Sequence, residues 1–104
     1  MDKKELIVKL GGIVDDFLTA SKYTNFRQIM KELNEKLKPL KAEIDNMVAE
    51  NILPYDTSFF FYRLWCYFDE ATERNYNIKE YYKKDCQNVT FFYKKVIDII
   101  NNKE

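Results

Sequence analysis

Apolar residues recur along most of the chain in alternating steps of four and three, the period of an α-helix packed on one side. The first such segment runs from Leu6 to Ala20 and keeps its phase through the pair Gly11-Gly12. Each glycine lowers helix stability by about 1 kcal/mol relative to alanine. We therefore predict one first helix with a weak or bent middle.

The second segment is the most regular of the four. Its apolar stripe consists of Phe26, Met30, Leu33, Leu37, Leu40, Ile44 and Met47. Asn25 and Gln28 resemble a capping box that starts the helix, and Pro39 inside it removes the hydrogen bond to the carbonyl of Glu35. Because the stripe keeps its register across Pro39, we predict one long helix kinked at that residue. The alternative is a break into two helices.

The third segment centres on SFFFYRLWCYF, residues 58–68, which carry seven aromatic rings and one charge. Pro54 provides a stop before it, and Thr57 is a candidate N-cap. The predicted outward line is marked by charges at Arg63, Glu70 and Arg74. The predicted core-facing line consists of Phe61, Leu64, Trp65, Phe68 and Ala71. A helix that is apolar nearly all round is usually a central one.

The fourth segment opens at Asn77, with Glu80 as a capping partner, and ends near Ile100. Its inward positions are Ile78, Tyr82, Cys86, Val89, Tyr93, Val96 and Ile100, and Phe92 and Ile99 widen this core-facing side. The connections between segments are short, and short links favour antiparallel neighbouring helices. The sequence therefore predicts an all-α protein whose residues 1–104 form a single domain, an antiparallel up-and-down four-helix bundle.

Histidine is absent from the 104 residues, and the 17 basic residues balance the 17 acidic ones. Without histidine there is no Ser-His or Cys-His nucleophile and no histidine-ligated metal site. Carboxylate pairs such as Asp15-Asp16 and Asp69-Glu70 could bind a metal, but helical carboxylate sites usually include a histidine. We therefore interpret these pairs as part of a solvated helix face. We therefore predict that the chain is not an enzyme and has no catalytic, cofactor-binding or metal-binding residues.

The chain start is not typical of a signal peptide, because charges lie on both sides of a short apolar run. The longest apolar run is about half of the roughly 20 residues that a membrane-spanning helix needs. We therefore expect a cytosolic protein without a transmembrane segment. In that compartment Cys66 and Cys86 are expected to be free thiols, and a disulfide would require their Cα atoms to lie within about 7 Å.

Aromatic residues are in excess: eight Tyr, eight Phe and one Trp are more than four helices of this length can bury. Apolar residues beyond the inward lines include Phe59, Phe60, Tyr67, Tyr81 and Phe91. Exposed rings beside an arginine are typical of protein-binding hot spots. We predict a partner-binding surface formed by Phe59, Phe60, Arg63, Tyr67, Glu70 and Tyr81. The alternative is that irregular packing and loops cover these rings.

The same exposed rings could instead bind a second copy of the chain, a membrane surface or single-stranded nucleic acid, and these alternatives stay open. The mixture of Lys83-Lys84 and Lys94-Lys95 with aromatic residues resembles single-strand binders. The zero net charge and the lack of a nucleic-acid-binding motif argue against that function. Binding to another protein is therefore the favoured function.

In size, helix count and helix order, the chain resembles the small intracellular immunity proteins that protect producers of class IIa bacteriocins. Small phage-encoded inhibitors of host machinery, including anti-CRISPR proteins, share this size and helicity. The resemblance is architectural. It implies a bacterial or phage inhibitor or immunity-type protein that docks a helix face on its protein partner.

Overall fold

The described residues of the protein, 1–20, 26–73 and 79–101 in a computed structural model, form four α-helices. Helix α1 spans Lys3–Thr19, α2 Phe26–Ala49, α3 Tyr55–Glu73 and α4 Lys79–Asn101. Each helix packs on the next, and α4 also packs on α1, which closes a bundle of 43 × 20 × 19 Å. The predicted all-α four-helix bundle is confirmed. None of the described helices combines the length and the apolar character that crossing a bilayer requires.

Helix α1 is continuous through its glycine pair, as predicted. It begins after Asp2, whose carboxylate accepts a hydrogen bond of 2.7 Å from the Glu5 N–H. Gly11 faces α4, where an added Cβ would lie 3.1 Å from the Tyr93 hydroxyl oxygen. An added Cβ at Gly12 would meet no atom within 4 Å. The first glycine therefore allows a close approach of α4, whereas the second has no packing role.

Replacing Gly12 with alanine is expected to raise the free energy of unfolding by about 1 kcal/mol, because alanine is the better helix former and has room there. Thermal unfolding followed by circular dichroism should show a melting temperature higher by roughly 4–8 °C. Gly11→Ala is the matched control, and it should gain less because the new methyl group displaces Tyr93. Equal gains for the two variants would contradict the difference in packing.

Helix α2 runs unbroken through Pro39, so the prediction of one long helix is confirmed and the alternative of two helices is excluded, whereas the kink stays a prediction. Its predicted stripe is buried at Met30, Leu33, Leu37, Leu40, Ile44 and Met47. Pro39 itself is exposed, which leaves the carbonyl that lost its donor near water. The cap at Asn25 lies outside the described residues, and the Gln28 amide donates to Glu32 at 3.3 Å.

The turn between α2 and α3 is closed by backbone hydrogen bonds. Asn51 has a φ of 61°, a left-handed conformation that asparagine tolerates better than most residues. The Ile52 N–H donates to the Met47 carbonyl at 2.8 Å, and the Asn51 N–H donates to the Val48 carbonyl at 3.1 Å. These two bonds form a Schellman motif. Leu53 then turns into the core.

The prediction that Thr57 caps α3 is wrong. The helix begins at Tyr55, and the Thr57 N–H already donates to the Pro54 carbonyl at 3.1 Å within the first turn. The Thr57 side chain is completely buried, and its hydroxyl has no hydrogen-bond partner among the described residues. This threonine is therefore a core residue with an unsatisfied polar atom.

The bundle core is centred on aromatic rings contributed by different helices. The Phe17 and Phe68 ring centroids lie 4.5 Å apart across the bundle, and the Tyr82 hydroxyl donates to the Phe17 carbonyl. Trp65, predicted to face the core, is only partly buried and packs against the core edge. The predicted start of α4 at Asn77 lies outside the described residues, but Val89, Val96 and Ile100 are buried as predicted.

Candidate protein-binding surface

Helix α3 contacts α2 on one flank and α4 on the other, and the two flanks differ in chemistry. On the α2 flank, the Trp65 indole N–H donates to the Asn34 side-chain oxygen. The Asn34 amide in turn donates to Asp69 at 3.1 Å. The polar groups of this flank therefore have partners within the protein.

Asp45 extends the same polar network. Its carboxylate accepts hydrogen bonds from Lys41 at 2.8 Å and from Ser58 at 2.9 Å. The hydrogen bond from Lys41 is the main reason that the pKa of Asp45 lies below its ordinary value; desolvation opposes this effect, and Ser58 adds to it. The Lys41 ammonium lies 5.7 Å from the Trp65 ring centroid. The polar groups of this network already bond to one another, so they are less available to bind a partner.

The α4 flank is aromatic, and Phe92 lies at its centre. The Phe92 ring centroid is 6.3 Å from that of Phe60 and 5.8 Å from that of Tyr67, with an interplanar angle of 21° for the second pair. The Arg63 guanidinium carbon lies 5.3 Å from the same centroid. Residues 60, 63 and 67 of one helix thus surround a single ring of the other, as a hole surrounds a knob.

Two further rings lie on the outer side of this cluster. Phe59 is 49% exposed and Phe91 is 53% exposed. Each contacts a more buried ring edge-on, with centroids 5.3 Å apart for Phe59–Phe60 and 5.1 Å apart for Phe91–Phe92. The Lys95 ammonium lies 5.4 Å from the Phe91 centroid. We call the following set the aromatic patch: Phe59, Phe60, Arg63, Tyr67, Phe91, Phe92 and Lys95.

The aromatic patch contains four of the six residues predicted to bind a partner: Phe59, Phe60, Arg63 and Tyr67. Glu70 is exposed on the same helix, but it lies seven residues beyond Arg63, about 10 Å along the helix axis. The side chain of Tyr81 lies outside the described residues. The expected exposure of aromatic rings is confirmed for Phe59 and Phe91, whereas partner binding itself stays a prediction.

Sequence reasoning left Phe91, Phe92 and Lys95 out of the predicted site. The spacing of four between Phe91 and Lys95 signals a shared helix face. Phe92 was expected only to widen the core-facing side of its helix, and its central place depends on how α4 is rotated against α3. The exposed Tyr55 and Tyr62 also extend the apolar outer surface of α3. Tyr55 lies four residues before Phe59 and Tyr62 lies three residues after it, and this spacing places the three rings on one face of the helix.

The two cysteines lie on α3 and α4, the helices that form this surface. Cys66 and Cys86 are both free, as predicted, and both are partly buried. Burial raises the pKa of the Cys86 thiol above its ordinary value, and the nearby Asp85 raises it further, whereas a hydrogen bond with Tyr82 lowers it. This thiol is therefore protonated at neutral pH. No three histidine, cysteine, aspartate or glutamate residues of the described part come together as metal ligands.

A second surface feature is a shallow groove of about 410 Å³ between α1 and α2. Gly12 and Pro39 line it, and Val8, which is 67% exposed, lies at its edge. Its apolar lining is aliphatic, so it lacks the rings that usually anchor a protein interface. Val8 is useful as a control position, because it is a large exposed apolar residue far in sequence from the aromatic patch.

The aromatic patch is thus the described surface that combines half-exposed rings with cations held beside them. Its rings belong to α3 and α4, whose contact fixes their relative positions. Comparisons with protein-family models, with curated proteins and with solved structures find no match for the chain, so the interpretation of this surface rests on its own geometry.

Proposed function

We propose that this chain is a non-enzymatic protein-binding module that docks its aromatic patch on a protein partner. The observation that carries the proposal is the half exposure of Phe59 and Phe91, each seated on a partly buried ring. Covering the exposed half of one phenylalanine removes on the order of 100 Å² from water, which contributes roughly 2 kcal/mol. Two such rings supply a substantial share of a micromolar binding energy.

The patch is also well prepared for binding. Phe60, Tyr67 and Phe92 pack against the core, so the layer beneath the exposed rings is ordered before any partner arrives. Because ordering flexible side chains opposes association, a rigid aromatic layer leaves more of the contact energy for affinity. Substitutions at Phe60 or Tyr67 would therefore affect both folding and binding. Substitutions at Phe59 or Phe91 should affect binding with little effect on folding.

The lack of histidine supports a role without catalysis, and the two free thiols fit a reducing cytosol. We further propose that the module acts as an inhibitor or immunity-type protein, because such proteins need only a folded scaffold and a binding surface. The class of gene that neighbours its own would test this role. A bacteriocin precursor would support immunity, and phage modules would support inhibition.

The binding proposal is tested by photo-crosslinking in the native cell. A benzoyl-phenylalanine at position 62, beside the patch, should capture a protein that the same probe at position 8 does not. The captured protein is then purified and its affinity measured by calorimetry. The double variant Phe59→Ser/Phe91→Ser should bind at least about tenfold more weakly, because hot-spot rings contribute on the order of 2 kcal/mol each.

Val8→Ser is the matched control, since it removes an exposed apolar side chain from the α1 surface and should leave the affinity unchanged. Circular dichroism should show that all variants keep their helices, because the replaced side chains lie on the surface and not in the core. A partner that binds the folded double variant as tightly as the wild type would refute the proposed surface.

A further inference from the structure

We infer that the partner segment covering the aromatic patch is acidic: an amphipathic protein segment whose apolar anchors are flanked by aspartate or glutamate. This inference rests on the proposed function and adds the chemistry of the partner. It is carried by the charges of the patch and of the adjoining α4 surface.

The two cations of the patch are Arg63 and Lys95. Among the described side chains, neither of them forms an ion pair with a carboxylate. Three other lysines do so, in the pairs Lys9–Glu5, Lys38–Glu35 and Lys41–Asp45. On the α2 flank of α3, Lys41 is thus paired with Asp45, whereas Arg63 and Lys95 of the aromatic patch have no such pair among the described side chains.

Both cations are held against aromatic rings. The Arg63 guanidinium lies over Phe92 and the Lys95 ammonium over Phe91. These cation–π contacts keep the charges beside the surface that a partner would cover. A carboxylate arriving there would meet a guanidinium able to donate two parallel hydrogen bonds. Because the docked partner would exclude water from the patch, such a pair would be stronger than a solvent-exposed one.

The exposed surface of α4 adds positive charge around the patch. Among its described side chains, Lys83, Lys84, Lys94 and Lys95 are exposed, and the exposed acid is Asp98. A basic segment would therefore be repelled from this helix, and an acidic one would be attracted and oriented by it. The zero net charge of the whole chain conceals this local asymmetry.

A protein segment fits this charge pattern better than single-stranded nucleic acid does. The patch has exposed carboxylates beyond its ends, at Asp56, Glu70 and Asp98. A nucleic-acid strand carries a phosphate at every nucleotide, so a strand lying along α3 and α4 across the patch would pass over these acids. A protein segment need not be charged at every residue, so it can carry carboxylates opposite Arg63 and Lys95 and uncharged residues opposite the acids.

The inference is tested by selecting binders from a displayed library of helical peptides of about 16 residues, enough for four turns. The full chain serves as bait, and Phe59→Ser/Phe91→Ser serves as counter-bait. Clones that need the patch are expected to carry aspartate or glutamate beside their apolar anchors. Selection on the bait Arg63→Glu/Lys95→Glu should instead enrich lysine and arginine. A representative acidic clone should lose at least about tenfold in affinity on that double variant.

The outcomes separate this inference from the proposed function. Patch-dependent clones that are basic or show no charge preference would overturn the acidic partner and leave protein binding intact. An absence of patch-dependent clones would overturn both. Displacement of the acidic clone by an oligothymidylate would assign the patch to nucleic acid. Concentration-dependent light scattering abolished by Phe59→Ser/Phe91→Ser would assign it to a second copy of the chain. Either result would overturn the inference.

Discussion

Replacing Phe68 with alanine is expected to lower the free energy of unfolding by about 3–5 kcal/mol, a large share of the roughly 5–15 kcal/mol of a typical domain. Phe68 is completely buried, and its ring lies 4.5 Å from that of Phe17 on the opposite helix. The substitution removes the ring and leaves a cavity that the rigid helices can only partly fill. Urea unfolding followed by circular dichroism and by Trp65 fluorescence measures the loss.

Phe91→Ala is the matched control for this loss, because it removes the same ring from a half-exposed position on the bundle surface. A change well below that of Phe68→Ala is expected, since little packing is lost there. If Phe68→Ala does not fold, Phe68→Leu should give a folded protein of intermediate stability. Equal losses at positions 68 and 91 would contradict the assignment of one ring to the core and the other to the surface.

The contrast between these two phenylalanines also explains how one short sequence serves both folding and recognition. Residues 58–68 lie on α3, which packs more extensively on α2 and α4 than α1 does. Phe61, Leu64 and Phe68 point into the bundle, whereas Phe59 points outward. The apolar surplus of this helix is therefore divided between a core and an interaction surface.

The helical period predicted the bundle well because burial follows directly from it. The α2 stripe from Met30 to Met47 is buried throughout, and the phase across Gly11-Gly12 correctly indicated one helix. Helix ends were harder to predict, because caps depend on single residues. Asn51 closes α2 with a positive φ, and nothing in the apolar pattern marks that residue as a cap.

The candidate site was predictable only in part. The apolar residues in excess on the third helix correctly indicated that Phe59 is exposed, and Arg63 was included because it lies among them. Which α4 residues would join them depended on the rotation of that helix about its axis, a tertiary property that no local pattern contains. For this reason Phe92 was assigned to the core side, although it lies at the centre of the patch.

Replacing Thr57 with valine is expected to raise the free energy of unfolding by about 1–2 kcal/mol, because a buried hydroxyl without a partner costs about that much. Valine has nearly the same shape and a similar helix propensity, so packing and the backbone bond to Pro54 should be kept. Urea unfolding measures the gain.

Thr57→Ser is the informative control, because it keeps the hydroxyl and removes the methyl group. It should lower stability, since the methyl group fills space in a completely buried site. A loss in both variants would mean that the hydroxyl is hydrogen-bonded in solution and that it stabilises the start of α3. A gain with valine and a loss with serine would instead establish that the methyl group of Thr57, and not its hydroxyl, stabilises the fold.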